Sequence, residues 1–374
     1  MSLRVGVDGR ELRAGVRTGI RRYTLEVLRA AAARGLECIV YVDRATGFEG
    51  APGVRCARLG GVTPWWDQVA LPAALRRDAV DVFLSPYYKR PLAAPCPTVI
   101  TIHDLIFIGY PGRRRPLYDA AMTLLARRYA AGAGAIVADS EHSRRAIVER
   151  LGVGVERTVV IPVGLGPEFR PTVPSAAQRE RYRLGAAYAL YVGNFLPHKN
   201  LPRLLRVWAA LPEALRSSHR LVLAGGALVG RAALRALAGS LGLGDRVVFP
   251  GLVDDADLPA LYGGAAALVQ PSLEEGFGLP ALEAMACGAP VVAGRRGALP
   301  EVVGDAGVLV DPEDERALAA ALARVLGSAG ERRALAGRGL ARAASFTAER
   351  TAGRVVELLQ ATAQARPALA GSAR

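Results

Sequence analysis

The chain has 374 residues, a length that at about 100 to 200 residues per domain suits two domains and excludes a single small one. With 51% of residues hydrophobic and 22% charged, it carries enough apolar side chain for two cores, which excludes general disorder. The formal net charge of +14, from 48 basic and 34 acidic residues, favours polyanionic partners: phosphorylated small molecules, anionic membrane surfaces or nucleic acid.

Short β-branched runs alternate with longer Ala/Leu/Arg-rich amphipathic segments, the pattern of βα units around a parallel sheet, and the pattern occurs twice. In the first half, strands are expected at 3–8, 37–42, 81–84, 98–102, 134–138 and 158–161, with helices near 18–34, 114–130 and 142–150. The segment 164–178, GLGPEFRPTVPSAAQ, is rich in Gly and Pro and reads as a linker, which places a boundary near residue 170. Strands of the second half are expected at 188–192, 220–224, 246–249, 266–270, 290–293 and 307–310. Helices near 200–210, 230–241, 255–262, 279–286 and 314–326 fill the gaps. The domains are therefore 1–170 and 171–346, followed by an amphipathic helix at 347–362 that docks on either of them and a frayed tail at 363–374.

No apolar run reaches the ~18 residues needed to span a bilayer, and Arg4, Asp8, Arg10 and Glu11 interrupt the region where a signal peptide needs an apolar stretch. A cytoplasmic protein is expected. Cys38, Cys56, Cys96 and Cys287 are far apart, and His103, His142, His198 and His219 form no metal-ligand spacing, so neither a disulfide framework nor a zinc site is expected. Nucleic-acid motifs are missing and aromatics make up only 6%, which leaves small anions and membranes as the partners of the basic charge.

Open α/β sheets bind ligands beyond the carboxyl ends of their strands. The loop after 266–270 places Glu275, Gly276, Phe277 and Gly278 at such an end, with Leu279 opening a helix and Glu283 within its early turns. Glycines there admit a ligand close to the backbone, and free amides at a helix start favour a diphosphate. Two separated carboxylates would each accept hydrogen bonds from neutral hydroxyls, which points to a sugar and a ribose. The blander alternative is a solvated Glu274–Glu275 pair complementing the helix dipole, with Glu283 an exposed helical residue. Only Lys89 and Lys199 among the 48 cations are lysine. Lys199, beside Asn200 at a helix start, is placed to stabilise a leaving phosphate, or is an ordinary exposed lysine. His103 ends the strand TVITI and is either a cleft residue or a structural histidine, while Asp104 would cap a turn. Trp65, Trp66, Tyr87 and Tyr88 read as core more readily than as acceptor-stacking surfaces. Arg113, Arg114 and Arg115 are either a head-group contact or a solvated basic turn.

Glu275 and Glu283, seven residues apart within EGFGLPALEAMACGAPVV, resemble the EX7E signature of the retaining glycosyltransferases of family 4. VGNFLPHKNLPRLL (192–205), TGIRRYTLEVL (18–28), TIHDL (101–105), WWDQ (65–68), SPYY (85–88) and LPEVVGDAG (299–307) extend the resemblance over most of the chain. It implies an α/β GT-B fold, two Rossmann-like parallel-sheet domains facing across a cleft, the first on the acceptor side and the second binding the nucleotide sugar. Glu275 would then hold hydroxyls of the donor hexose, Glu283 the nucleotide ribose, and the amides of Gly276, Phe277, Gly278 and Leu279 the sugar and phosphates. Lys199 would neutralise the diphosphate, His103 contact the donor sugar, and Gly19 let the first-domain loop approach the phosphates. Asn194, counted with the donor-binding residues, stands where the family often has a phosphate-binding arginine after Gly193, so the second phosphate cation is unassigned. Val163 and Gly166 replace the Asn and Asp frequent in relatives.

The implied reaction moves a hexose, with mannose favoured, from a nucleoside-diphosphate sugar to an acceptor hydroxyl with retention, for a cell-surface polysaccharide or a lipid-linked glycan. The donor is a substrate, so no cofactor is expected, and no metal, since no DxD-like motif has a convincing context. Expected partners are the donor, a glycan or lipid-linked acceptor and an anionic membrane met peripherally, not nucleic acid. The competing readings are a GT-B nucleotide-sugar epimerase and a non-catalytic nucleotide-sugar-binding protein.

Overall fold

In the computed structural model, described over residues 2–13, 19–108, 115–226 and 230–365, the chain divides into two units. One comprises Met1–Gly164 with Thr347–Arg374, the other Leu165–Phe346.

The first unit is built on a seven-stranded parallel sheet: β1 (Arg4–Asp8), β2 (Glu37–Val42), β3 (Val54–Arg58), β4 (Val82–Ser85), β5 (Thr98–Ile102), β6 (Ala135–Ala138) and β7 (Thr158–Val160), in the order β3-β2-β1-β4-β5-β6-β7. Strands such as TVITI and AIVA are buried along their whole length, because helices cover both faces of a parallel sheet and each face needs apolar side chains. β3, which the strand pattern in the sequence did not indicate, reads VRCAR: it lies at the sheet edge, where exposed Arg55 and Arg58 are tolerated and guard the open hydrogen-bonding groups.

The second unit repeats the design with six parallel strands: β8 (Tyr188–Gly193), β9 (Arg220–Gly225), β10 (Val247–Gly251), β11 (Ala267–Gln270), β12 (Val291–Gly294) and β13 (Val308–Val310), ordered β10-β9-β8-β11-β12-β13. In both sheets the order reverses once, between β1 and β4 and between β8 and β11, and such a reversal opens a crevice at the carboxyl ends of the two strands. The core of this unit surrounds fully buried Trp208, with Leu204, Leu205, Leu318 and Leu322 from flanking helices.

The boundary expected near residue 170 falls earlier. The Leu165 amide donates to the Phe346 carbonyl at 3.0 Å and the Phe169 ring meets that of Tyr262, so the presumed linker begins by folding onto the second unit. The helix Ala329–Ala343 was not among the expected elements. Gly339 suits this packing: an added Cβ would lie 3.2 Å from Met285 Cγ, a tight contact, so the small residue lets this helix pack closely on Leu279–Ala286. The last helix, Ala348–Gln364, packs in the first unit against the helix Gly19–Ala33, where Arg34 donates to the Gly353 carbonyl at 3.1 Å and Thr351 to that of Pro162 at 2.7 Å. Among the described residues no helix is long and apolar enough to cross a membrane.

Candidate functional site

In the second unit the strand order reverses between β8 and β11, and the loops leaving these two strands carry the EX7E glutamates and Lys199. At the end of β8, Gly193 has φ +152, and a Cβ at neighbouring Gly225 would lie 2.4 Å from the Gly193 carbonyl oxygen. The strand ends thus approach too closely for side chains. Asn194 is exposed; its Oδ1 accepts from the Leu196 amide at 3.3 Å and its carbonyl from the Tyr191 hydroxyl at 2.6 Å, which makes it a former of the turn. The turn Pro197–Lys199 then delivers Lys199, and Asn200, at φ +60, caps the helix Leu201–Ala209. Asn tolerates this left-handed conformation, and its Nδ2 donates to the carbonyls of Pro271 (3.2 Å) and Pro312 (2.8 Å), tying the turn to the loops after β11 and β13.

Lys199 Nζ lies 2.7 Å from Glu275 Oε1. The same oxygen accepts from Gln270 Nε2 at 2.8 Å and Ser272 Oγ at 2.7 Å, so three donors converge on it, while Oε2 makes no hydrogen bond among the described residues. Glu275 is buried. Burial raises its pKa, but Lys199, Ser272 and Gln270 together outweigh that and hold the carboxyl below the usual range. It is therefore an ionised acceptor with one oxygen fixed and the other open. Among the described residues Lys199 commits one of its three ammonium protons to this pair and retains two. The solvated Glu274–Glu275 pair is corrected by this burial.

Beyond Glu275, Gly276, Phe277 and Gly278 lead into the helix Leu279–Ala286. Gly278 has φ +99, which turns the chain into the helix, and the amides of Phe277, Gly278 and Leu279 make no hydrogen bond among the described residues. The Phe277 ring is buried edge-on against Phe346, so only its backbone is offered. Glu283 is buried as well, which corrects the exposed helical alternative; its Oε2 accepts from the Tyr262 hydroxyl at 2.7 Å. Beside this carboxylate, burial pushes the Cys287 thiol up to about 12, so it is an inert core residue. His198, desolvated and next to Lys199, is held down at about 4 and is neutral at ordinary pH.

In the first unit, His103 follows β5, with Nδ1 2.7 Å from Asp139 Oδ2 and Nε2 3.1 Å from the Pro86 carbonyl. Asp104 accepts from the Ile106 amide at 3.0 Å in a local turn. Gly19 is the first residue of the helix Gly19–Ala33, and the loop before it lies outside the described residues. So do Arg113 and Arg114, whereas Arg115 is exposed. Trp66 is a core residue with the Arg10 guanidinium 3.9 Å from its ring centroid. Tyr88 stacks on Phe107, but Trp65 is exposed, against the core reading. Val163 is buried.

The sequence matches the glycosyl transferases group 1 description over residues 175–341 and Glycosyltransferase Family 4 over residues 17–169. The chain belongs to the family 4 glycosyltransferases. The chain is 36% identical over 217 residues to the O-antigen chain mannosyltransferase B of Escherichia coli, covering 57% of each chain. It is 31% identical over 276 residues to the serotype-specific mannosyltransferase WbdA of Escherichia coli, covering 70% of this chain and 33% of that one. The match thus spans well under two thirds of both relatives. The sucrose-phosphate synthase of Thermosynechococcus elongatus superposes with a TM-score of 0.80 at 25% identity, over 97% of this chain and all of that one. WaaG, a glycosyltransferase of lipopolysaccharide biosynthesis, has the same fold, with a TM-score of 0.75 at 19% identity over 95% of this chain and 99% of that one. The chain therefore has the GT-B architecture of two Rossmann-like units.

Sequence reasoning missed the groups that hold Glu275 in place. Gln270 and Ser272 are unremarkable as letters, and only their position between the end of β11 and Glu275 hints at a role. Gly297, at φ +60, was missed too: a Cβ there would lie 2.6 Å from the Glu275 backbone, whose carbonyl accepts from the Ala298 amide at 3.0 Å. Asp139, the partner of His103, carries no local motif.

Proposed function

We propose that this family 4 glycosyltransferase transfers a hexose, with mannose the first candidate, from a nucleoside-diphosphate sugar to an acceptor hydroxyl, with retention at the anomeric carbon. The observation that carries the reading is the ionised Glu275, its Oε1 held by Lys199, Gln270 and Ser272, beside the amides of residues 277–279, which make no hydrogen bond among the described residues. The mannosyltransferase relatives support mannose, and the O-antigen name of one supports a cell-surface polysaccharide or lipid-linked glycan as acceptor.

As the glycosidic bond to the diphosphate breaks, positive charge grows at the sugar and negative charge on the departing phosphate. Lys199 would turn its two remaining protons on that phosphate, joined by the amides of Phe277, Gly278 and Leu279 at the helix start. Glu275 Oε2 would accept from hexose hydroxyls, Glu283 from the ribose, and His103 is assigned to the donor sugar. A carboxylate with its pKa held down and three donors on one oxygen is suited to orienting a sugar rather than to proton transfer. Front-face attack, with the leaving phosphate taking the acceptor proton, accounts for retention without a protein nucleophile. Peripheral contact with an anionic membrane belongs to the same reading, in keeping with the charge of +14.

The test is turnover with a panel of GDP- and UDP-hexoses. Nucleoside diphosphate released only when acceptor is present, with the transferred sugar keeping the donor's anomeric configuration by NMR, supports the proposal. An epimerised donor formed without acceptor, or an inverted product, contradicts it.

A further inference from the structure

His103 is clamped from both sides of its own strand. Pro86 follows β4 and Asp139 follows β6, the two neighbours of β5 in the sheet, and each turns an oxygen on one nitrogen of the ring. The Ser143 hydroxyl donates to the His103 carbonyl at 3.0 Å, and Tyr23, its hydroxyl 3.0 Å from that of Thr101, meets the imidazole in a T-shaped contact. Both oxygens facing the ring nitrogens are acceptors. A neutral imidazole has one donor and one acceptor, so in this setting it would aim a lone pair at an oxygen, whereas the protonated ring satisfies both contacts.

We propose that His103 is held as an imidazolium with Asp139 as its positioning residue, and that it meets its ligand as a hydrogen-bond donor through Nε2, exchanging the Pro86 carbonyl for a ligand oxygen. The bond on Nδ1 is the shorter and is made to a carboxylate that is itself buried, so it stays; the 3.1 Å contact on Nε2 is the one a ligand replaces. Among the described residues the buried Asp139 Oδ1 makes no hydrogen bond, so the carboxylate's side-chain hydrogen bonding is directed to His103 through Oδ2. The groups facing the ring agree. Burial works against the charge, but Asp139 outweighs it, Asp104 adds to it, and the His103 pKa is raised above its ordinary value. Tyr23, its own pKa raised by burial, stays neutral. An imidazolium with Nδ1–H committed cannot take a proton from an acceptor hydroxyl, so His103 is excluded as a general base. It selects for an oxygen with a free lone pair, such as a hydroxyl or ring oxygen of a sugar. The donor contact rests on the function proposed above; the charge state does not.

The test is a pH titration of the four histidines by NMR at Cε1, with His103→Gln to assign the signal. His103 in the wild type is expected to titrate above 6.5, and Asp139→Asn to lower its midpoint by a pH unit or more, roughly a tenfold change in the charged-to-neutral ratio. Adding a GDP-hexose is expected to shift the His103 Nε2 resonance. A wild-type midpoint at or below 6.5 overturns the charge assignment, whether or not Asp139→Asn folds. An unmoved midpoint in folded Asp139→Asn overturns the role of Asp139. A raised midpoint with no donor response overturns the ligand contact, and with it the assignment of His103 to the donor sugar, while the imidazolium stands.

Discussion

Lys199 and Glu275, 76 residues apart in the chain, form a 2.7 Å ion pair at the point where the second sheet reverses its strand order. The pair fixes an ammonium beside a carboxylate, and under the proposed function the first would meet phosphate and the second hydroxyls without rearrangement.

Lys199→Ala is expected to lower kcat/KM by 100- to 1000-fold, about 2.7 to 4 kcal/mol of transition-state stabilisation, with the greater part in kcat. Steady-state kinetics with a GDP-hexose donor checks this. A change confined to KM would mean that the ammonium binds the ground state and the leaving phosphate equally.

The two glutamates are expected to separate in a binding experiment. Glu283→Ala should weaken nucleoside-diphosphate binding in calorimetry, and Tyr262→Phe should do so more mildly, because it frees the carboxylate from one hydrogen bond at 2.7 Å. Glu275→Gln should suppress turnover with little loss of nucleotide affinity. Equal losses from Glu275→Gln and Glu283→Ala would end this division of labour.

Acid should weaken the second unit through Glu275. Its folded pKa lies below the unfolded value of 4.5, so its contribution is fully present above 4.5 and is lost as pH falls through the folded value. Thermal melts between pH 7 and 3 are expected to show this loss, and Glu275→Gln to flatten it. His198, near 4 when folded and 6.5 when unfolded, adds a slope of the same sign between those values. A Glu275→Gln melt series as steep as that of the wild type would count against the lowered carboxyl.

Asn200→Ala is expected to destabilise more than Asn200→Gly. Both lose the bonds to the Pro271 and Pro312 carbonyls, but only alanine must also be held at φ +60, which costs about 1 to 2 kcal/mol. Denaturant melts measure the difference; an equal loss would indicate that the hydrogen bonds alone matter.

The repeated parallel-sheet architecture was legible because buried strands are written in β-branched runs such as TVITI and CIVYV, which alternation with helices makes unambiguous. β3 escaped because an edge strand is free to carry Arg55 and Arg58, and the helix Ala329–Ala343 because its buried positions, Leu335, Gly339 and Ala343, write only a faint apolar stripe. At the site, Lys199, Glu275 and Glu283 stood out by type and spacing. Their supports did not, because Gln270, Ser272, Gly297 and Asp139 acquire meaning only when folding brings them against Glu275 or His103. Asn194 stands apart from these: its side chain helps to form the turn that presents Lys199, a part that its place in the sequence did not show.

The most direct measurement is a crystal structure with an intact nucleoside-diphosphate hexose. The account predicts the diphosphate within hydrogen-bonding distance of Lys199 Nζ and the amides of residues 277–279, with hexose hydroxyls on Glu275 Oε2 while Gln270 and Ser272 stay on Oε1. A donor bound elsewhere, with the Lys199–Glu275 pair and those amides untouched, would contradict it.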